Sequence, residues 1–378
     1  MRKTILLAAI ASSWFLTSCR GSGVSARSVA IEQASLAQFT DDFFPLRMET
    51  LGIPGLCFVL MEDGAVVLSM GYGVADIASG ERVDPDSTLM RIGSVSKPFV
   101  AVAVMQLAEA GRLSLDVDIN RYLKSMQVQS DFTTPVTLAH LLTHTGGFDG
   151  PPYVSNTDPA SVEPLAQFLA DSMPPVTSMP GTLFTYSNYG YALAALVVEE
   201  VSGQPFDQYV LDHILRPLQM SDTSYLLTPP VPENIATGYK LAAGAQEPQP
   251  IDYDGDYPGG SIVSTAGDMS HFLVALANGG CYEGACILRA LSVAEMFEPR
   301  AETPYEGQRV TYGFVQGTSG GQLLLGHSGA IRGFGSFLGI LLDQEIGYFL
   351  SFNEECYETS ACDIIPEFRT AFADWYLD

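Results

Sequence analysis

Lysine is scarce in this chain: Lys3, Lys97, Lys124 and Lys240 are the whole supply, and Lys and Arg together number 18 against 43 Asp and Glu. The net charge of −25 gives a surface that repels phosphate backbones and anionic lipid headgroups, which excludes DNA and RNA as partners. No Cys-x-x-Cys pair occurs, so zinc-ribbon and dithiol redox roles are unsupported. Histidine is also rare. His140 and His144 are four apart but lack the adjacent glutamate of a zinc protease, His213 and His271 have no evident motif, and neither metal nor cofactor is expected. Beyond the N-terminal segment no apolar run is long enough to suggest a membrane-spanning helix.

Residues 1–18 have a basic start (Arg2, Lys3), a short apolar centre and small residues before Cys19, the pattern of a secretory signal peptide. Leu16-Thr17-Ser18-Cys19 resembles a bacterial lipobox, which implies cleavage before Cys19 and lipidation of that cysteine. Residues 19–28, with Gly21-Ser22-Gly23, then read as a flexible tether. Loss of Arg2 and Lys3 takes the net charge to −27. The expected location is the bacterial cell envelope, facing the periplasm or exterior. Cysteine use agrees with export: Cys281 with Cys286 and Cys356 with Cys362 each flank a short loop and read as two local disulfides, and Cys57 reads as a buried thiol.

The rest of the chain, 29–378, is long enough for a large core. Ile31 to Leu51 has helical spacing. Leu56–Met61 and Ala65–Met70 are strand-like runs around Glu62-Asp63-Gly64, a hairpin signal. A mostly helical stretch follows, about 98–230, interrupted by a Pro-, Ser- and Asp-rich segment, Asp149 to Pro180, that is expected to be irregular. Strand signals return at Val310–Gly317, Gln322–Leu325, Gly335–Leu342 and Ile346–Phe352, and Ile364–Tyr376 reads as a closing helix. The expected fold class is α/β (α+β): one antiparallel sheet built from both chain ends, flanked by helices, with a mostly helical insertion.

Chemistry concentrates in Gly93-Ser94-Val95-Ser96-Lys97-Pro98-Phe99. Residues i and i+3 of a helix share a face, so Lys97 can reach Ser94, and a serine hydroxyl becomes a useful nucleophile when a neighbouring base takes its proton. Pro98 is tolerated only in a first turn, which puts the helix start near Ser94, and the apolar run Val100–Ala108 closes at Gly111. Downstream, Tyr186-Ser187-Asn188 opens a second apolar helix, offering a phenol for proton relay and an amide for a substrate carbonyl or for Lys97. His327-Ser328-Gly329 lies in a glycine-rich stretch between strand-like runs, where Gly329 allows close approach to the backbone and the following amide can serve an oxyanion. His144-Thr145-Gly146 has the same form but reads as the structural end of a helix.

These three motifs in this order, with Leu141–Gly147, Pro258–Met269 and Gly326–Gly329 through Phe334, resemble the penicillin-recognising serine hydrolases, specifically the class C β-lactamase-like branch that includes DD-peptidases and esterases. The resemblance implies a β-lactamase/transpeptidase-like fold and Ser94 as the acylated nucleophile. It also implies that Lys97 and Tyr186 share general acid–base work and that Asn188, His327, Ser328, Gly329 and Ala330 face the substrate, with the amides of Ser94 and Ala330 as oxyanion hole. His327 stands where β-lactamases carry a lysine. An imidazolium there that met a substrate carboxylate would make the apparent KM for anions rise as pH passes about 6.5 to 7. The implied activity is hydrolysis of an ester or a D-amino-acid-containing peptide through an acyl-enzyme, on a small-molecule or peptide substrate. The alternatives are a class C-like β-lactamase, a non-turnover penicillin-binding sensor, or an envelope protein that has lost activity.

Overall fold

The computed structural model describes residues 26–149, 156–225 and 230–376. The expected signal peptide and Cys19 lie outside the described residues. A helix, α1, spans Ala26–Leu51, longer than the sequence pattern suggested. Two compact units divide at residue 41, and all that follows concerns 42–378.

Among the described residues nine strands form one antiparallel sheet. β1 (Gly55–Glu62), β2 (Ala65–Asp76) and β3 (Glu81–Arg82) come early. β4 (Ala301–Glu302), β5 (Arg309–Val310), β6 (Val315–Ser319), β7 (Gln322–Ile331), β8 (Phe334–Leu341) and β9 (Ile346–Phe352) come late. Their spatial order, β4-β5-β6-β7-β8-β9-β1-β2-β3, joins the two ends of the chain where β1 pairs with β9 from Leu56↔Phe352 to Glu62↔Ile346. Asp63 and Gly64, at φ 50° and 74°, make the two-residue turn that the sequence signalled between β1 and β2.

Both faces of β1 are buried, and its alternating side chains serve different layers. Cys57, Val59 and Met61 enter the main core, where α7 (Ala266–Ala277) packs. Phe58 turns to the other face and meets Phe368 of α9 (Ile364–Tyr376), ring centroids 5.1 Å apart, in a cluster with Phe44 and Tyr348. Among the described residues Cys57 is the free cysteine, and burial raises its thiol to about 12. Disulfides join Cys281 to Cys286 and Cys356 to Cys362.

The helical part packs around α2 (Lys97–Glu109), in which Val100 to Val104 are fully buried. With no polar stripe the helix must be enclosed. α5 (Asn188–Ser202) lies against it, and Phe99 stacks on Phe272 of α7 at 4.0 Å. Gly203, at φ 82°, stops α5 in the left-handed conformation. α3 (Leu138–Leu142) leads into His144, and α4 (Leu165–Asp171) is a finding against expectation: the Asp149–Pro180 stretch holds a short helix as well as loop, because Leu165 and Leu169 share one face and are buried.

A second correction concerns the third motif. His327, Ser328 and Gly329 lie within β7, which the sequence pattern ended at Leu325. The glycines that suggested a loop are there for space. A β-carbon on Gly329 would stand 2.1 Å from the Ile92 carbonyl oxygen and 2.3 Å from Ser336 Oγ, so only glycine lets β7 lie against the segment that carries Ser94. Conversely, the expected strand Val310–Gly317 is two strands, β5 and β6.

Candidate active site

Ser94 lies in a single 3-10 turn, Gly93–Ser96, that runs into α2. Gly93 has φ 51°, a conformation that glycine adopts without strain. The turn is tied down from three sides. Ser96 Oγ donates to the Gly93 carbonyl at 2.7 Å, the Ile92 amide donates to the Ile262 carbonyl at 3.0 Å, and Ser336 Oγ on β8 donates to the Ile92 carbonyl at 2.7 Å. Pro98 falls in the first turn of α2, where its missing N–H breaks no helix bond.

Lys97 is completely buried, with Nζ 2.9 Å from Ser94 Oγ and 2.9 Å from the Gly259 carbonyl oxygen. Burial strips water from the ammonium and lowers its pKa to about 7, against the opposing pull of the Asp256 carboxylate. Tyr186 directs its hydroxyl to Ser94, and its ring centroid lies 5.0 Å from Lys97 Nζ. Protein around the phenol raises its pKa, although Tyr186 is 45 % exposed and water there opposes the shift. At neutral pH the pair is therefore an amine that can accept a proton and a phenol that keeps its own.

Ala330, on β7, closes the other side. A β-carbon on Gly93 would stand 2.8 Å from the Ala330 amide nitrogen, so the Ser94 backbone enters the turn beside that N–H. Two amides around a nucleophilic oxygen are the usual equipment of an oxyanion hole. His327 is buried beside them. Its Nδ1 donates to the Ser328 carbonyl at 2.7 Å, which leaves Nε2 as an acceptor. Burial, and then the Lys97 charge, lower its pKa to about 3, so the imidazolium considered above does not form at neutral pH. Ser328 is exposed and Gly329 is buried.

Asn188 begins α5, and no hydrogen bond joins it to Lys97 among the described residues. Its Oδ1 is buried without a partner; of the two contacts expected for it, Lys97 or the substrate, the first is not made, and Lys97 bonds Ser94 and Gly259 instead. Arg332, in the turn after β7, pairs with the buried Asp252 at 3.5 Å. Asp252 also holds the fully buried Arg91, which lies 3.9 Å from Asp254. The charge Arg332 brings near the site is thus matched by carboxylates.

The beta-lactamase family model matches residues 40–363, a span that contains every one of these groups. This chain belongs to the beta-lactamase family. Among solved structures it is similar to the octameric penicillin-binding protein homologue from Pyrococcus abyssi, with 26 % identity, a TM-score of 0.77, and 90 % of this chain and 77 % of that one covered. It is also similar in fold to EstCE1, a hydrolase with promiscuous acyltransferase activity, with a TM-score of 0.78, 21 % identity, and 91 % and 100 % covered. Curated relatives include the putative penicillin-binding protein PbpX of Bacillus subtilis, 28 % identical over 68 % of this chain and 62 % of that protein. Protein flp of Staphylococcus aureus is 26 % identical over 78 % and 58 %. The chain thus spans about 60 % of the length of these curated relatives.

Within this beta-lactamase-family site, two residues carry more than the sequence suggested. His144 has φ 55° and a neutral ring, its pKa held well below the usual value by burial and then by Lys97. Its carbonyl accepts the Thr185 amide at 2.7 Å, its Nδ1 accepts the Ser187 amide at 3.0 Å, and its ring stacks on Tyr186 at 4.3 Å. His144 therefore clamps the backbone on both sides of Tyr186. Asp256, just before the Pro258-Gly259-Gly260 turn, is the carboxylate that Lys97 and Tyr186 feel. Its proximity to that turn was readable, but its proximity to Lys97 depends on a contact across 159 residues of sequence. Among the described residues no group of His, Cys, Asp and Glu could hold a metal ion. His213 and His271 meet Gln204 and the Leu218 carbonyl.

Proposed function

We propose that this chain is an exported, lipid-anchored serine hydrolase that forms an acyl-enzyme on Ser94 and releases it to water, acting on an ester or a D-amino-acid-containing peptide. The observation that carries the reading is the 2.9 Å approach of Lys97 Nζ to Ser94 Oγ, with the amine made a base by burial. In the proposed reaction Lys97 takes the Ser94 proton as Oγ attacks the substrate carbonyl. The Ser94 and Ala330 amides hold the oxyanion, and Tyr186, a proton donor at neutral pH, protonates the leaving group. Water then attacks the acyl carbonyl, its proton passing to the Tyr186 phenolate left by the first step, and the Lys97 ammonium returns a proton to Ser94 Oγ as the carboxylic acid departs.

The basic start, apolar stretch and Leu-Thr-Ser-Cys ending before Cys19 support export and lipid attachment. A neutral His327 supports ester or peptide chemistry over recognition of a β-lactam carboxylate by a fixed charge. A second reading, a penicillin-binding protein that is acylated and stays so, is favoured by the likeness to PbpX, a putative penicillin-binding protein. The time course of p-nitrophenyl acetate hydrolysis separates them: a Ser94-dependent burst followed by steady turnover supports the hydrolase, and a burst without turnover supports the second reading. A signal unchanged in Ser94→Ala contradicts both.

A further inference from the structure

Among the described residues β7 is paired along only part of one edge. β6 meets it from Gln322 to Gly326 and stops, whereas β8 pairs its other edge as far as Ile331. Arg332 and Gly333 form a two-residue turn between β7 and β8, so Ile331 and Phe334 exchange hydrogen bonds. The alternation of an antiparallel ladder then turns the backbone of Ser328 and Ala330 to the free edge. Ala330 presents both its N–H and its C=O there. The N–H faces the Gly93 turn. The C=O is already occupied: the hydroxyl of Tyr357 donates to it at 3.0 Å.

Tyr357 is 66 % exposed, so apolar burial does not account for its place. The short segment that carries it is fastened to the β7–β8 hairpin. The Glu355 carboxylate accepts from the Gly333 amide at 3.0 Å and from the Tyr357 amide at 3.2 Å. Cys356 Sγ lies 2.6 Å from where a β-carbon on Gly335 would be, and Gly335 is the register partner of Ala330. The Cys356–Cys362 disulfide closes the loop. Surrounding protein, then Tyr186 and nearby carboxylates, raise the Tyr357 phenol, although water around so exposed a side chain opposes the shift, and the hydroxyl stays a donor at neutral pH.

An acyl group whose carbonyl oxygen sits at the Ala330 N–H can use the Ala330 C=O only if it carries an N–H of its own a few atoms away, as an added strand would. We propose that Tyr357 is a specificity-determining residue that withholds the Ala330 carbonyl from amide-bearing acyl groups and so turns the site toward simple carboxylic esters. The inference rests on Ser94 being the acylated nucleophile. A carbonyl has a second lone pair, so both the hydroxyl and the ring matter: the first takes the acceptor and the second stands in the open edge.

The test compares the full chain with Tyr357→Phe and Tyr357→Ala on two p-nitrophenyl esters, N-acetyl-D-alanine and O-acetyl-D-lactate, which differ only in N–H against O. The ratio of their kcat/KM values should be about one in the parent chain, rise about 5- to 10-fold in Tyr357→Ala as one hydrogen bond becomes available, and rise by less in Tyr357→Phe, whose ring still stands in the edge. A ratio that is the same in all three proteins overturns the inference, as does a strong preference for the N–H ester in the parent. Failure of all three to cleave either ester, with p-nitrophenyl acetate still cleaved through Ser94, also overturns it while leaving the hydrolase reading intact. Hydrolysis that survives Ser94→Ala overturns the hydrolase reading and this inference with it.

Discussion

Lys97 spends one hydrogen bond on the carbonyl of Gly259, 2.9 Å away, and this fixes the rotation of an amine that stands equally far from Ser94. A neutral amine held in this way has its lone pair left for the serine proton. The Pro258-Gly259-Gly260 turn thereby sets the geometry of the proposed base, and Asp256, two residues before that turn, acts on its charge.

The first prediction is a pH profile. Burial lowers Lys97 to about 7, and only its neutral form can take a proton, so kcat/KM should rise as pH increases through about 7. Asp256 opposes the shift by favouring the ammonium. Asp256→Asn should therefore move the ascending limb to lower pH. A limb that moves upward, or does not move, contradicts the assigned coupling.

Ser94 and Lys97 should behave as one unit. Ser94→Ala and Lys97→Ala are each expected to reduce kcat by roughly three orders of magnitude or more, with the double variant little worse than either single one. Additive losses in steady-state kinetics would show that the two act in separate steps.

His327 should not report pH in the neutral range. With its pKa lowered to about 3 by burial and Lys97, it is uncharged from pH 5 upward. The apparent KM for anionic esters should then stay flat between pH 6 and 8, apart from effects that track Lys97 and are equally present with neutral esters. A rise specific to anions near 6.5 would restore the imidazolium reading.

His144 is expected to act through Tyr186. His144→Ala removes the acceptor for the Ser187 amide and the stacked ring, and should lower kcat by roughly tenfold or more, with KM little changed, because general acid–base groups contribute about 10²- to 10⁴-fold. Recovery of part of the rate in His144→Asn, whose amide oxygen can accept the same bond, would support positioning. An unchanged kcat in a folded His144→Ala protein would remove the role.

Gly329→Ala tests the fit of β7 against the nucleophile turn. Its β-carbon would meet backbone at 2.1 Å from the Ile92 oxygen, and overpacking of this kind costs about 1–3 kcal/mol. A lower melting temperature together with loss of esterase activity is expected. A variant as stable and active as the parent would mean that β7 does not lie this close to the Ser94 segment.

Much of this site was legible because its signals are local. The Ser94–Lys97 spacing, the first-turn Pro98 and the apolar run of α2 closed at Gly111 each depend on residues a few positions apart. The Asp63-Gly64 turn is equally local. What escaped depends on approach between distant segments. Gly326 and Gly329 read as loop because glycine disfavours strands, yet they sit inside β7 where Ile92 and Phe337 leave no room for a side chain. Asp256 and Tyr357 gained their places only when the Pro258 turn and the loop after β9 folded over the Ser94 turn. His144 looked like a helix end, which it is, but its link to Tyr186 crosses 42 residues.

The most direct test of the central claim is to mix the protein with p-nitrophenyl acetate, quench within the first turnover, and locate any added acetyl group by peptide mass spectrometry. The expected result is one acetyl group on the peptide containing Ser94, lost with time in the parent and absent in Ser94→Ala. Acetylation elsewhere, with Ser94 unmodified while p-nitrophenol is released, would contradict the assignment of Ser94 as the nucleophile.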